Sequence, residues 1–152
     1  MRPENPSSVY LDSNTLIYAM TKRPGYEPVA EVLRLAEAKK LEVIISDLSY
    51  VEVRGWPNKD PYPPGLDQAC LAALDSPRLL RVEFSRGIAL RARRYAYSYS
   101  LGNYDAVHLA SAVEAGADVL MTWDKDLKRV RLVDGVWVHE PYDIGDATLF
   151  GT

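Results

Sequence analysis

The sequence predicts an α/β fold: three layers, α/β/α, with a roughly five-stranded parallel sheet in the middle. Two observations lead there. Short strand-like runs stand at Val9–Leu11, Glu42–Ser46, Leu80–Glu83, Val119–Thr122 and Val136–His139, and the first, second and fourth are nearly all apolar. That composition suits strands covered on both faces. Helical patterns fill the gaps between them, and strands alternating with helices are joined most simply by parallel crossovers. A third observation adds a site: acidic residues recur just past the apolar runs, where such a sheet opens its ligand crevice.

Taken in order, Val9–Leu11 runs into Asp12-Ser13-Asn14-Thr15, where strand gives way to a short helix. The segment from Pro28 to Lys40 places Val29, Val32, Leu33 and Ala36 on one stripe. Lys39 and Lys40 close it where the helix dipole favours cations. Leu66 to Asp75 and Gly87 to Ser100 read as two further helices. Asn103 to Ala115 is a helix bounded by an Asn cap and by Gly116, and Lys125 to Arg131 is a short one behind Asp124. The stretch from Trp56 to Gly65 holds four prolines, which remove donors and fix φ, so it is a loop. Tyr142 to Thr152 reads as an irregular tail.

With 152 residues, 47% of them hydrophobic, the chain can bury one good core, and a single domain over 1–152 with its core at about 9–140 is expected. No stretch approaches the ~20 apolar residues of a membrane span, and the first residues lack the apolar core of a signal peptide. The lone Cys70 forms no internal disulfide, and no Cys/His spacing suggests zinc. A soluble cytoplasmic protein is the expectation.

A net charge of −3, from 18 basic and 21 acidic residues, argues against a general nucleic-acid coat, whose affinity rests on many cations. Local patches are compatible with it. Arg86, Arg91, Arg93 and Arg94 cluster with Tyr95, Tyr97 and Tyr99, and Lys125, Lys128, Arg129 and Arg131 follow Asp124. Such segments can hold phosphates and stack bases. For the arginine segment, a solvated helix face with tyrosines packed beneath is the favoured reading.

Four acids carry the chemical argument. Asp12, Ser13 and Asn14 are each able to cap a helix, but three caps in a row exceed what one helix start needs. Asp12 is therefore read as functional, with Ser13 and Asn14 as contacts to it or to substrate. Ser49-Tyr50-Val51-Glu52 matches a capping box, in which the Glu reaches back to the cap residue. Its place just after a buried strand, given Asp12, favours a functional Glu52. Asp105 enters a helix made largely of Ala106, Val107, Leu109, Ala110 and Val113, and a carboxylate at a buried helix start is costly unless paired or metal-bound. His108, one turn on, is read as a hydrogen-bonded packing residue rather than a ligand. Asp124 and Asp126 compete for the fourth place; Asp124 is preferred because it lies nearer the strand end. Thr122 is expected to orient a carboxylate or hold a metal-bound water. Carboxylates converging on one crevice repel one another unless a hard divalent cation sits among them, and oxygen-only ligation suits Mg²⁺ or Mn²⁺.

The ordered set Val-Tyr-Leu-Asp12-Ser-Asn-Thr-Leu-Ile, Leu-Ser-Tyr-Val-Glu52-Val, Tyr-Asp105-Ala-Val-His-Leu-Ala-Ser-Ala and Leu-Met-Thr-Trp-Asp124-Lys-Asp-Leu resembles the PIN-domain family. The likeness is greatest to the VapC-type toxins of prokaryotic toxin–antitoxin pairs. It runs from Val9 to about Glu140. It implies a Mg²⁺- or Mn²⁺-dependent ribonuclease with the family's acidic roles on Asp12, Glu52, Asp105 and Asp124, the metal falling to Asp12, Asp105 and Asp124. It also implies an RNA substrate, an antitoxin partner and a homodimer. Among rivals, phosphatases that form an aspartyl-phosphate carry Asp-x-Asp after the first strand, where this chain has Asp12-Ser13-Asn14. A phosphate-receiver domain carries acids before its phosphoacceptor strand, a role that Glu42 fits poorly. Non-catalytic PIN-like modules usually lose acids, and all four are present here. No Gly-rich phosphate loop is found.

Overall fold

The computed structural model describes residues 1–54 and 65–144. Their elements run β1 (Ser8–Leu11), α1 (Ser13–Thr21), α2 (Glu27–Glu37), β2 (Glu42–Ser46), α3 (Ser49–Glu52), α4 (Leu66–Leu74), β3 (Leu79–Val82), α5 (Arg86–Tyr99), α6 (Asn103–Glu114), β4 (Val119–Met121), α7 (Lys125–Val130), β5 (Leu132–Val133) and β6 (Val136–His139). The sheet order is β3-β2-β1-β4-β6-β5, parallel throughout except for β5 against β6.

Side-chain alternation along the strands builds the three layers. Val9 and Leu11 of β1, Val43 and Ile45 of β2, and Val119 and Met121 of β4 face one core, packed with Leu16 of α1, Val29, Val32 and Leu35 of α2, and Cys70 and Leu74 of α4. Tyr10, Ile44 and Leu120 face the other, with Ile88, Ala92 and Tyr95 of α5, Leu109 and Ala110 of α6, and Leu127 of α7. Every one of these β1, β2 and β4 residues is at most 1% exposed. Among the described residues, no helix is long and apolar enough to cross a membrane.

Five expected strands are present, with ends shifted by at most a residue, and one was missed. The chain between α7 and β6 folds back as β5, Val133 opposite Val136, through Asp134 (φ 47°) and Gly135 (φ 88°). Two positive φ values in a two-residue loop are the Asp-Gly hairpin turn that matches strand twist. The helix expected to reach Lys40 ends at Glu37, and Lys39 turns left-handed (φ 58°). Asn103 is not the cap of α6 but its first residue, behind Gly102. Of the expected Pro-rich loop only Gly65 falls among the described residues. Of the C-terminal segment, Tyr142 and Ile144 are buried against the first core, and Tyr142 donates to the Pro3 carbonyl at 2.6 Å. The rest lies outside the described residues.

The strand order reverses between β1 and β4, since β1 leads outward to β2 and β3 while β4 leads to β6. That switch point, at the carboxyl ends of parallel strands, is where open α/β sheets form their crevice. Asp12 follows β1 directly, and Thr122 follows β4.

Candidate active site

Asp12 is 5% exposed and caps α1, its Oδ1 accepting the Thr15 N–H at 3.0 Å. Its Oδ2 accepts the hydroxyl of Thr122, a fully buried residue whose N–H is held by the His139 carbonyl at 2.9 Å. The Thr122 oxygen in turn accepts the N–H of Asp124 at 3.0 Å. Asp124 caps α7 with Oδ1, which takes the N–H groups of Asp126 and Leu127 at 2.9 and 3.0 Å. Helix capping and site geometry are therefore one arrangement at both positions, and each cap fixes a carboxylate at the mouth of the switch point.

Asp105, in the first turn of α6, completes the cluster electrostatically. Burial pushes its carboxyl up to about 6, reinforced by the charges of Asp124, Asp12 and Asp126 and offset in part by His108. Burial raises the Asp12 carboxyl too, against hydrogen bonds from Thr122 and Thr15 and the charge of His108. No donor among the described residues reaches the Asp105 carboxylate. Asp126 is exposed and paired with Arg129 at 2.9 Å, and it acts on Asp105 less than Asp124 does. Asn14 stands exposed on the first turn of α1.

Glu52 belongs to a different knot. The capping box whose pattern Ser49-Tyr50-Val51-Glu52 matches does not form: α3 has Leu48 at its cap position and no side-chain cap bond. Ser49 turns to Ser13 (2.9 Å), and Glu52 Oε1 accepts from Ser13 Oγ (2.8 Å) and meets His108 Nε2 (2.7 Å). The pair wins over the box because both serines and His108 are buried and need partners there. Burial raises the Glu52 carboxyl, and the His108 and Ser13 bonds more than reverse it, leaving it below the usual glutamate value. His108 is 3% exposed, with the Tyr10 hydroxyl on Nδ1 at 2.7 Å. It is the hydrogen-bonded packing histidine expected, with a specific partner that no local sequence signal announced.

The donor set is hard oxygen with surplus negative charge, which fits a divalent cation. The side chains are not closed around one: among the described residues no three of His, Cys, Asp and Glu stand as a ready metal-binding group. Of the basic segments, Lys125, Arg93 and Arg94 are exposed, and Lys128 pairs with Glu140 at 3.3 Å. In α5, Tyr95 is buried and Tyr99 packs against it at 5.7 Å between ring centroids, as a solvated helix face over tyrosines requires. Tyr97 departs from that reading, being 91% exposed.

The model of the PIN domain family matches residues 9–132. The chain belongs to the PIN-domain family. No curated protein matches it. Among solved structures, this PIN domain is similar to a toxin–antitoxin complex from Klebsiella pneumoniae, with 26% identity, a TM-score of 0.65, and coverage of 90% of this chain and 99% of that one. VapBC2 from Rickettsia felis, bound to a DNA fragment from the pair's promoter, shares its fold at 22% identity and TM-score 0.65, covering 90% of this chain and 99% of that one. So does VapC20 of Mycobacterium tuberculosis, a sarcin–ricin-loop-cleaving toxin, at 15% identity and TM-score 0.65, covering 83% and 97%.

Proposed function

We propose that this PIN domain is a divalent-metal-dependent endoribonuclease, the toxin of a VapBC-type pair, acting in the cytoplasm as a single domain. The observation that carries the reading is Asp105, whose carboxyl is pushed up to about 6 by burial and by the charges of Asp124, Asp12 and Asp126. Acids gathered in this way at a switch point, offset only in part by His108, suit a cation. Asp12, Asp105 and Asp124 would hold Mg²⁺ or Mn²⁺, which supplies charge neutralisation at a phosphodiester and a more acidic water.

The chain's own groups do the rest. Thr122 holds the Asp12 carboxylate, and the α7 N-terminus holds that of Asp124. Glu52 Oε2, with no donor among the described residues, accepts a proton from the attacking water. The water oxygen bonds to phosphorus, one P–O ester bond breaks, and the leaving oxygen takes a proton from solvent. Lys125 and other exposed cations outside the acidic crevice meet the flanking phosphates of single-stranded RNA. The likeness to toxin–antitoxin complexes supports a protein antitoxin as partner, and a homodimer is the working unit that the family resemblance implies.

The test is incubation of a mixed RNA pool with Mg²⁺, Mn²⁺ or EDTA. Cleavage should require the metal and vanish in the Asp12→Asn/Asp105→Asn double variant while the fold persists. Cleavage by that variant in EDTA would overturn the proposal.

A further inference from the structure

The hydrogen bonds of the polar knot beneath the site converge on Glu52. The Tyr10 hydroxyl meets His108 Nδ1 at 2.7 Å and so occupies one nitrogen of the imidazole. Nε2 lies 2.7 Å from Glu52 Oε1, a carboxylate oxygen that accepts, so Nε2 donates to it. On the other side, Ser49 can donate to Ser13 at 2.9 Å, and Ser13 donates to the same Oε1 at 2.8 Å. Both chains end on Oε1 of Glu52, and no donor among the described residues bonds Oε2. The Glu52 side chain is 27% exposed whereas that of His108 is 4% exposed, so the carboxylate stands at the mouth of the knot. Two of the three aspartates are held by other groups, Asp12 by Thr122 and the α1 N-terminus and Asp124 by the α7 N-terminus.

We propose that His108, with Tyr10 and Ser13 behind it, is a positioning residue that holds Glu52 as a proton acceptor apart from the three aspartates, so that Glu52 serves the attacking water and takes no part in holding the cation. The inference rests on the nuclease reading above. It makes the site two devices side by side, an aspartate cluster for charge and a buried hydrogen-bond relay for the base. Bonds to the ionised form keep Glu52 in the state that can accept a proton, and two donors on one oxygen fix its rotamer. The Tyr10 hydroxyl also lies near Ser46 and Ser111, the latter buried with an unpartnered Oγ, so replacing His108 leaves that hydroxyl other partners.

Two measurements separate the devices. In calorimetric titration with Mn²⁺, Glu52→Gln and His108→Leu should bind within about threefold of wild type, whereas Asp105→Asn should lose more than about 100-fold, beyond the usual cost of an outer contact. In RNA cleavage, Glu52→Gln should lower kcat by about 10²–10³-fold with KM little changed, the scale of a lost general base. His108→Leu should fall toward the same level. His108→Gln, whose amide can donate from the Nε2 position, should recover most of the loss, and His108→Asn, whose amide stops short of Glu52, should not. Because His108 acts through Glu52, the Glu52→Gln/His108→Leu double variant should be no slower than Glu52→Gln alone. Losses that multiply in the double variant, or equal kcat in His108→Gln and His108→Asn, would overturn the positioning role; the Gln/Asn pair decides it if the Leu variant does not fold. Loss of Mn²⁺ affinity in Glu52→Gln as large as in Asp105→Asn would overturn the separation. A wild type that binds Mn²⁺ yet cleaves no RNA would instead sink the nuclease reading, with the Mn²⁺ comparison still judging where Glu52 belongs.

Discussion

The Thr122 hydroxyl bonds Oδ2 of Asp12 across 110 positions of sequence and ties the end of β4 to the end of β1. Its oxygen also accepts the Asp124 N–H at 3.0 Å, so one buried side chain sets two of the three aspartates. Thr122→Val keeps the shape and removes both bonds. We expect a stability loss of about 1–3 kcal/mol from the groups left unpaired. Thr122→Ser should restore most of it, and urea unfolding of the three proteins checks both values.

Asp105 makes the metal-free fold sensitive to pH. Its folded carboxyl, at about 6, lies above the usual aspartate value of about 3.9. A carboxylate raised in the fold contributes stability that is complete below the unfolded value and is lost as pH rises through the folded one, because the unfolded chain ionises first. Metal-free wild type should therefore lose stability between about pH 4 and pH 6, and Asp105→Asn should flatten that part of the profile and melt higher at pH 7. Thermal melts across this range, in EDTA, decide it. Adding Mg²⁺ or Mn²⁺ at a hundred times its Kd should stabilise wild type by about 2.7 kcal/mol and the variant far less.

Asp124 and Asp126 give a contrast within one helix turn. Asn caps helices about as well as Asp, so Asp124→Asn should fold normally yet cut cleavage strongly by removing charge beside Asp105. Asp126→Asn loses an exposed pair with Arg129 and should keep activity within about an order of magnitude, since such pairs contribute little. A larger loss in Asp126→Asn than in Asp124→Asn, measured on the same RNA, would make Asp126 the better fourth acid.

Much of this was legible in the chain. Near-continuous apolar runs give both-face burial, so β1, β2 and β4 and the carboxylates behind them can be placed from sequence. What stayed hidden is non-local. Ser49-Tyr50-Val51-Glu52 carries the pattern of a capping box, but Glu52 is drawn away by Ser13 and His108, which lie 39 and 56 positions off. No window around Glu52 records them. β5 is two residues long, too short for a periodic signal, although Asp134-Gly135 is the turn chemistry that could have found it. Gly102 displaces Asn103 as the α6 cap because its extended backbone (φ −63°, ψ 161°) already turns the chain into the helix.

If an antitoxin silences the site, the simplest physical means is a cation placed where the metal would sit. An Arg of the partner, bidentate on these carboxylates, would satisfy the same charge. Expression of the chain alone should slow growth of its native host, and co-expression of the neighbouring gene should relieve it. The complex should also have lost its Mn²⁺-induced melting shift.

If Asp12, Asp105 and Asp124 hold the cation, Glu52 should stand apart from it. Anomalous diffraction from crystals soaked in Mn²⁺ tests this most directly. A peak should appear at the β1/β4 switch point, about 2.0–2.2 Å from oxygens of the three aspartates and outside bonding distance of Glu52. A peak bonded to Glu52, or one away from Asp12 and Asp105, would contradict it.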